Sequence, residues 1–200
     1  MSTLYVIRHG ETVWNRERRI QGSLDSPLTW RGCEQARLLG ECLAREQLAR
    51  EQLRFVVSPL ARTVQTAAII GDVLGVGFHR WERQWALREL AWGEWEGLRY
   101  EDIKARMPGV LAERERDRWQ HRPPGGETYV EAFQRAGECL ASIPENATAV
   151  MVSHGGFGRL LRGRFLGLAP AAILTLDAPQ DALFRLHGDA MDRLEISEVA

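Results

Sequence analysis

The sequence predicts an α/β fold of three layers, α/β/α, built on a mainly parallel central sheet and carrying a small helical excursion as a lid. Three observations lead there. Short apolar runs rich in Val, Ile, Leu and Phe recur along the chain, helical periodicities lie between them, and the first three runs each end in polar residues. At 200 residues and 44% hydrophobic content, the chain is read as one domain spanning residues 1–200, since one domain commonly takes about 150 residues.

Taken in order, Thr3 to Ile7 is the first strand and runs into Arg8-His9-Gly10. Thr29 is a plausible N-cap for a helix whose Cys33, Ala36, Leu39 and Leu43 share one face. Arg54 to Val57 is the second strand, ending at Ser58-Pro59, and Thr63 to Leu74 the second helix. From about Glu89 to Thr128 the alternation breaks: Trp92, Trp95, Tyr100 and Trp119 fall here, with the Pro123-Pro124-Gly125-Gly126 loop. This stretch reads as short helices laid over the strand ends, or as a peripheral helical pair packing its tryptophans inward, and the two are compatible. Val130, Phe133, Leu140 and Ile143 outline a third helix that stops at Pro144. Thr148 to Val152 is the third strand, ending in Ser153-His154-Gly155, and Phe157 to Leu166 the fourth helix. Ala182 to Leu186 and Arg193 to Ile196 are late strands.

Ligands of open α/β sheets bind beyond the carboxyl ends of strands, where helix N-termini also point. The residues expected there are Arg8, His9, Ser58 and His154.

Charge narrows the partners. Lys and Arg total 26 against 27 Asp and Glu, a net charge of −1, so no surface-wide adaptation to nucleic acid or anionic membrane is expected. Lys104 is the only lysine, so the cationic side chains are otherwise arginines. An Arg-favouring genome accounts for the total; bidentate oxyanion binding is the sharper reading for individual positions. Cys33, Cys42 and Cys139 have neither disulfide-framework nor zinc-ligand spacing, and a reducing cytoplasm fits them. The apolar run Leu4 to Ile7 is too brief for a signal-peptide core, and no stretch approaches the roughly 18 apolar residues of a membrane span. A cytoplasmic monomer or homodimer acting on a small molecule is expected.

The strongest motif is Arg8-His9-Gly10-Glu11-Thr12, directly after a strand. Gly10 permits a tight turn, Arg8 sets positive charge beside the imidazole, and later backbone amides can face an anion. Nearby arginines disfavour imidazolium and leave a free lone pair, which suits attack on a phosphoryl group.

The motif resembles the signature of the histidine phosphatase superfamily, which includes cofactor-dependent phosphoglycerate mutases and their phosphatase relatives. Further blocks follow in family order: Gln21 to Thr29, Ser58 to Ala67, Leu87 to Leu90 with Gly93 to Gly97, Pro124 to Thr128, and Val152 to Gly156. The resemblance implies that His9 attacks phosphorus to give a phosphohistidine, that Arg8, Arg62 and His154 hold the non-bridging oxygens, and that Glu89 is general acid and then base. It implies also that Asn15, Gln21 and Gly22 line the phosphate and substrate pocket. Spacing alone does not choose Glu89 over Glu82, Glu94 or Glu96; the family block does. Glu11 is expected as an ion-pair or turn residue, and Trp14 as packing.

No metal and no other cofactor is expected, because two arginines at one locus repel a divalent cation and His9, His154 and Glu89 have no recognised ligand spacing. Within the resemblance the phosphatase branch fits better than the mutase: Leu90-Ala91-Trp92 stands after the acid where mutases carry Arg-His-Tyr. The Pro123 to Thr128 block is similar to that of α-ribazole phosphatases and broad-specificity relatives. A non-catalytic phospholigand-binding module ranks lower, since every matched position is filled. The tail departs from the family pattern, since Asp177 to Asp181 lacks the Asn often found in relatives, so the resemblance assigns no contacts there.

Overall fold

A computed structural model describes residues 2–196 and centres on one six-stranded sheet. The strands are β1 (Thr3–Arg8), β2 (Arg54–Val57), β3 (Trp81–Arg83), β4 (Thr148–Ser153), β5 (Ala182–His187) and β6 (Ala190–Glu195). Their order across the sheet is β3-β2-β4-β1-β5-β6. The first four are parallel to one another, while β5 runs antiparallel to β1 and β6 antiparallel to β5.

Side-chain alternation explains why β1 reads as unbroken hydrophobicity. Leu4 and Val6 enter one core with Val56, Ala149 and Met151, whereas Tyr5 and Ile7 enter the opposite core with Phe55, Val57, Val150 and Val152. Both faces of the sheet are therefore covered, as a parallel sheet requires.

The α-helices are α1 (Val13–Arg16), α2 (Trp30–Arg45), α3 (Ala61–Leu74), α4 (Tyr100–Arg106), α5 (Pro108–Arg116), α6 (Tyr129–Ala141), α7 (Gly155–Phe165) and α8 (Pro170–Thr175). Helices α2 and α3 bury Leu39, Leu43, Ala67 and Ile70 on one face, and α6, α7 and α8 bury Ala132, Ala136, Phe157, Leu161 and Ile173 on the other. Thr29 caps α2 by accepting from Gly32 N–H, and Thr128 caps α6 in a reciprocal box with Glu131. Among the described residues no helix is long and apolar enough to cross a membrane.

Several boundaries correct the sequence reading. Helix α3 begins at Ala61 rather than Thr63, and α7 at Gly155 rather than Phe157, because distant carboxylates cap both. The last strand is Ala190–Glu195, which places Ile196 outside it. Strand β3 went unread because only Trp81 of its three residues is buried, leaving no alternation to see. Helix α1 buries nothing and α8 buries only Ile173, so neither carries a periodic signal.

The excursion forms α4 and α5 around a small core of Trp95, Ile103 and Leu111. It is tied to the loop after α1 through Ile20 N–H to Leu98 O (2.9 Å) and Gly97 N–H to Ile20 O (2.7 Å). Its tryptophans pack inward while Tyr100 is exposed: Trp92 stacks on Trp95, Trp119 on Tyr129, and the Arg114 guanidinium lies 5.1 Å from the Trp92 ring centre. Trp95 is 2% exposed.

Candidate active site

Parallel pairing aligns the carboxyl ends of β1, β4 and β2. Arg8 sits opposite Ser153, His9 N–H donates to Ser153 O (3.0 Å), and Ser58 N–H donates to Val152 O (3.0 Å). The residues that follow these strands therefore share one rim, and His9 and His154 meet there edge to face with ring centres 5.4 Å apart.

His9 is buried, and its tautomer follows from its partner. Nδ1 lies 2.8 Å from the Gly10 carbonyl, which can only accept, so Nδ1 carries the proton and Nε2 keeps the lone pair. Burial, reinforced by the Arg62 and Arg8 charges, holds this imidazole well below its ordinary value of 6.5. The neutral form was expected from the arginines; desolvation is the larger cause. The turn is set by packing: a Cβ on Gly10 would lie 2.2 Å from the Gly32 carbonyl oxygen, so only glycine lets β1's exit meet the first turn of α2. Gly10 N–H in turn donates to Thr66 Oγ1 (3.1 Å).

His154 shares a 2.7 Å hydrogen bond between Nε2 and Ser58 Oγ, while its Nδ1 is buried without a partner among the described residues. Burial, then Arg62 and His9, lowers this imidazole well below 6.5 too.

Arg62 is wholly buried at the start of α3. Its Nη1 donates to Leu24 O (2.9 Å) and Asp25 Oδ1 (2.7 Å), and its Nη2 to Gly22 O (2.8 Å). A guanidinium has five N–H groups, and Nε is among those left without a partner. A cation at a helix N-terminus calls for a compensating anion, and Asp25 supplies it, accepting also from Ala61 N–H (2.6 Å). Arg8 donates through Nη1 to the Ala178 carbonyl and likewise leaves a buried Nε unpaired.

Glu89 does not sit free in the rim. Its Oε1 accepts from Phe157 N–H (2.8 Å) and Leu90 N–H (3.1 Å), and its Oε2 from Gly156 N–H (3.0 Å). It thus caps α7, whose own N-cap position, His154, makes no side-chain cap. The loop bearing Glu89 is pinned by Arg135, which donates to Ala86 O (2.7 Å) and Arg88 O (2.8 Å), and by Ser153 Oγ to Leu87 O (2.9 Å). Arg135 is itself paired with Glu127 through two bonds of 3.0 and 2.6 Å, so it bridges both ends of the excursion.

The remaining expected positions surround this group. Gly22, at φ +59°, turns its carbonyl onto Arg62. Gln21 is buried with Oε1 unpaired. Asn15 Oδ1 accepts from Thr12 N–H (3.1 Å) and from Gln180 Nε2 (3.0 Å). Glu11 is a turn residue rather than an ion-pair one, accepting from Thr29 Oγ1 (2.8 Å). Trp14 packs against Gly97.

Four contributors escaped the sequence reading: Asp25, Arg135, Glu96 and Gln180. Glu96 accepts from Ser23 (2.9 Å), Leu24 (3.0 Å) and Trp92 (2.9 Å) backbone N–H groups, clasping the Gly22 loop to the excursion. Its place in the Trp95-Glu96-Gly97 run was a signal available to be used. The resemblance assigned no contacts to the tail; in the structure Ala178 O meets Arg8, and Gln180 Nε2 donates to His9 O (3.1 Å).

Among the described residues no group of three or more His, Cys, Asp or Glu is placed to hold a metal ion.

Known proteins resemble this chain in sequence and fold. The chain is 33% identical to a "Probable phosphoglycerate mutase GpmB" of Salmonella paratyphi C over 201 aligned positions, covering 99% of this chain and 86% of the relative. Its fold matches the crystal structure of the α-ribazole phosphatase from Shigella flexneri with TM-score 0.81 and 26% identity, covering 98% of this chain and 96% of that one. It also matches mycobacterial glucosyl-3-phosphoglycerate phosphatase, a structure containing VO3, with TM-score 0.76 and 30% identity over 97% of both chains. With the family model for the histidine phosphatase superfamily (branch 1) matching residues 4–193, the chain belongs to that superfamily.

Proposed function

We propose that the protein is a metal-independent phosphomonoester hydrolase working through a phosphohistidine at His9, on a small phosphorylated metabolite. The observation that carries this is the state of His9: buried, neutral, with Nδ1–H committed to Gly10 and Nε2 free beside the unpaired Nε–H groups of Arg8 and Arg62.

His9 Nε2 attacks phosphorus, the P–N bond forms and the bond to the ester oxygen breaks. Arg8 Nε–H, Arg62 Nε–H and His154 Nδ1–H donate to the non-bridging oxygens. His154 presents that N–H when Ser58 O–H donates to its Nε2. Glu89 protonates the departing alkoxide. Three of its four lone-pair positions already accept backbone N–H groups, two on Oε1 and one on Oε2. The fourth, on Oε2, is the one that carries the proton. Glu89 then removes a proton from water, whose oxygen attacks phosphorus while the P–N electrons return to Nε2, releasing inorganic phosphate.

Two guanidinium groups beside both imidazoles disfavour a divalent cation at this locus, which supports metal independence. A near-neutral chain with one small cationic pocket suits a small phosphoester better than a polyanion. The substrates named for the fold neighbours, α-ribazole phosphate and glucosyl-3-phosphoglycerate, are the first to try, followed by a broad phosphomonoester panel.

A mutase reading is favoured by the names of the curated relatives, a hydrolase reading by the acid block and by the phosphatases among the fold neighbours. Incubating the protein with phosphomonoesters in EDTA, with and without phosphoglycerate acceptor, separates them. Phosphate release that His9→Ala abolishes supports the hydrolase; transfer to phosphoglycerate exceeding release supports the mutase. No turnover of any ester supports a binding module.

A further inference from the structure

The segment between α8 and β5 touches the catalytic group from behind, at Ala178 and Gln180. Ala178 O receives Arg8 Nη1, and Gln180 Nε2 donates to both His9 O (3.1 Å) and Asn15 Oδ1 (3.0 Å). The orientation of this amide is forced. A main-chain carbonyl only accepts, and Asn15 Oδ1 already accepts Thr12 N–H, so the NH2 end of Gln180 must face both. The same bonds force Asn15: with Oδ1 held by Thr12 and Gln180, its Nδ2H2 end is the one left for a ligand oxygen.

We propose that Gln180 is a positioning residue for phosphoryl transfer, fixing the peptide of the nucleophile and bracing the Asn15 amide, whose orientation Thr12 N–H already sets. This rests on the reading of His9 as nucleophile. Gln180 touches neither substrate nor phosphorus; it acts through His9 and Asn15. A group that orients a nucleophile changes the rate of its attack, since displacements of about 1 Å cost up to about a hundredfold. It leaves hydrolysis of the phosphohistidine, which depends on Glu89, largely untouched.

The test measures phosphoenzyme formation and decay separately, by rapid quench with radiolabelled phosphomonoester, in wild type, Gln180→Ala, Gln180→Glu, Asn15→Ala and the Asn15→Ala/Gln180→Ala double variant. Phosphoenzyme formation is expected to slow about tenfold in Gln180→Ala, with decay within about twofold of wild type. Gln180→Glu preserves shape but sets a carboxylate against two acceptors, and a larger loss is expected. The double variant should lose less than the product of the two single losses, because Asn15 is one route by which Gln180 acts. Formation at the wild-type rate in Gln180→Ala overturns the proposal, as does an equal slowing of both steps, the mark of a merely structural role. Strictly multiplicative losses remove the Asn15 route and overturn that half. If His9→Ala still forms phosphoenzyme at the wild-type rate, the nucleophile reading fails, an outcome distinct from any result at Gln180.

Discussion

Lowering the pH from 7.5 to 5.5 perturbs the two buried histidines in a way that the structure makes quantitative. His9 and His154 are held neutral in the folded chain, their values well below 6.5, by burial and then by Arg62. Once unfolded, each takes up a proton near 6.5. The unfolded state then binds more protons than the folded one, so stability rises with pH. The contribution is fully present above 6.5 and is lost as pH falls toward the folded-state values. For a histidine that stays neutral when folded, the loss by pH 5.5 is about 1 kcal/mol, and the pair gives about 2–3 kcal/mol. Against a typical stability of about 5–15 kcal/mol, that is a large share. Perturbed carboxylates do not intrude, because Glu131, brought to about 2 by Arg122, and Asp192, lowered by Arg185, lose their contributions only below the unfolded carboxyl range.

The assay is urea unfolding at pH 7.5 and 5.5 with proton uptake measured calorimetrically in two buffers. His9→Gln and His154→Gln should each remove about half of the pH difference. A wild-type difference under about 1 kcal/mol, or unfolding without proton uptake, refutes the account. In the same window, kcat/KM should show no acid limb at 6.5 attributable to His9, since the attacking form persists below it.

Other perturbations follow from single contacts. Glu96→Ala frees the Gly22 loop from the excursion and loosens the carbonyls that hold Arg62. A rise of about tenfold in KM and a stability loss of about 1–2 kcal/mol are expected, modest because two of the three bonds are exposed, from steady-state kinetics and urea unfolding. Arg135→Met strands Glu127 and releases the loop before Glu89, costing about 3–5 kcal/mol by urea unfolding, with phosphate release falling alongside. Gly10→Ala drives a Cβ against the Gly32 carbonyl; a melting shift equivalent to about 1–3 kcal/mol or more and loss of phosphohistidine labelling are expected, and a wild-type melting temperature contradicts the close approach.

What was legible in the sequence depended on how local the cause was. Strands β1, β2 and β4 are buried on both faces, so their composition alone marks them; β3 buries one residue at an edge and leaves no trace. Thr29 is readable as a cap because its acceptor role is spent three residues on, and the Thr128 to Glu131 box is equally local. The positions of Arg8, His9, Ser58 and His154 followed from strand ends. Asp25 on α3 and Glu89 on α7 join elements 36 or more residues apart, and no periodicity encodes such a pairing. Gln180 reaches back 171 residues to His9 and lies in a stretch that looks featureless.

Those remote carboxylates also change how an anion would be recognised. Strand-end sites commonly offer helix N-termini to phosphate, and backbone amides were expected to serve here. Instead the Ala61 and Arg62 N–H groups of α3 go to Asp25 and the Gly156 and Phe157 N–H groups of α7 to Glu89, so much of each helix end is already spent on an internal carboxylate. Side chains hold unspent donors as well: Nε of Arg8, Nε of Arg62 and Nδ1 of His154, together with the Nδ2H2 group of Asn15. Asp25 offsets the charge of Arg62, while Glu89 enters the proposed reaction as the proton donor, so the charge of Arg8 remains for a ligand. A pocket of this kind discriminates by direction more than by net attraction. It favours a group whose oxygens reach three fixed N–H vectors at once, with a leaving oxygen within reach of Glu89, and a phosphomonoester meets that demand where a singly bonded carboxylate does not.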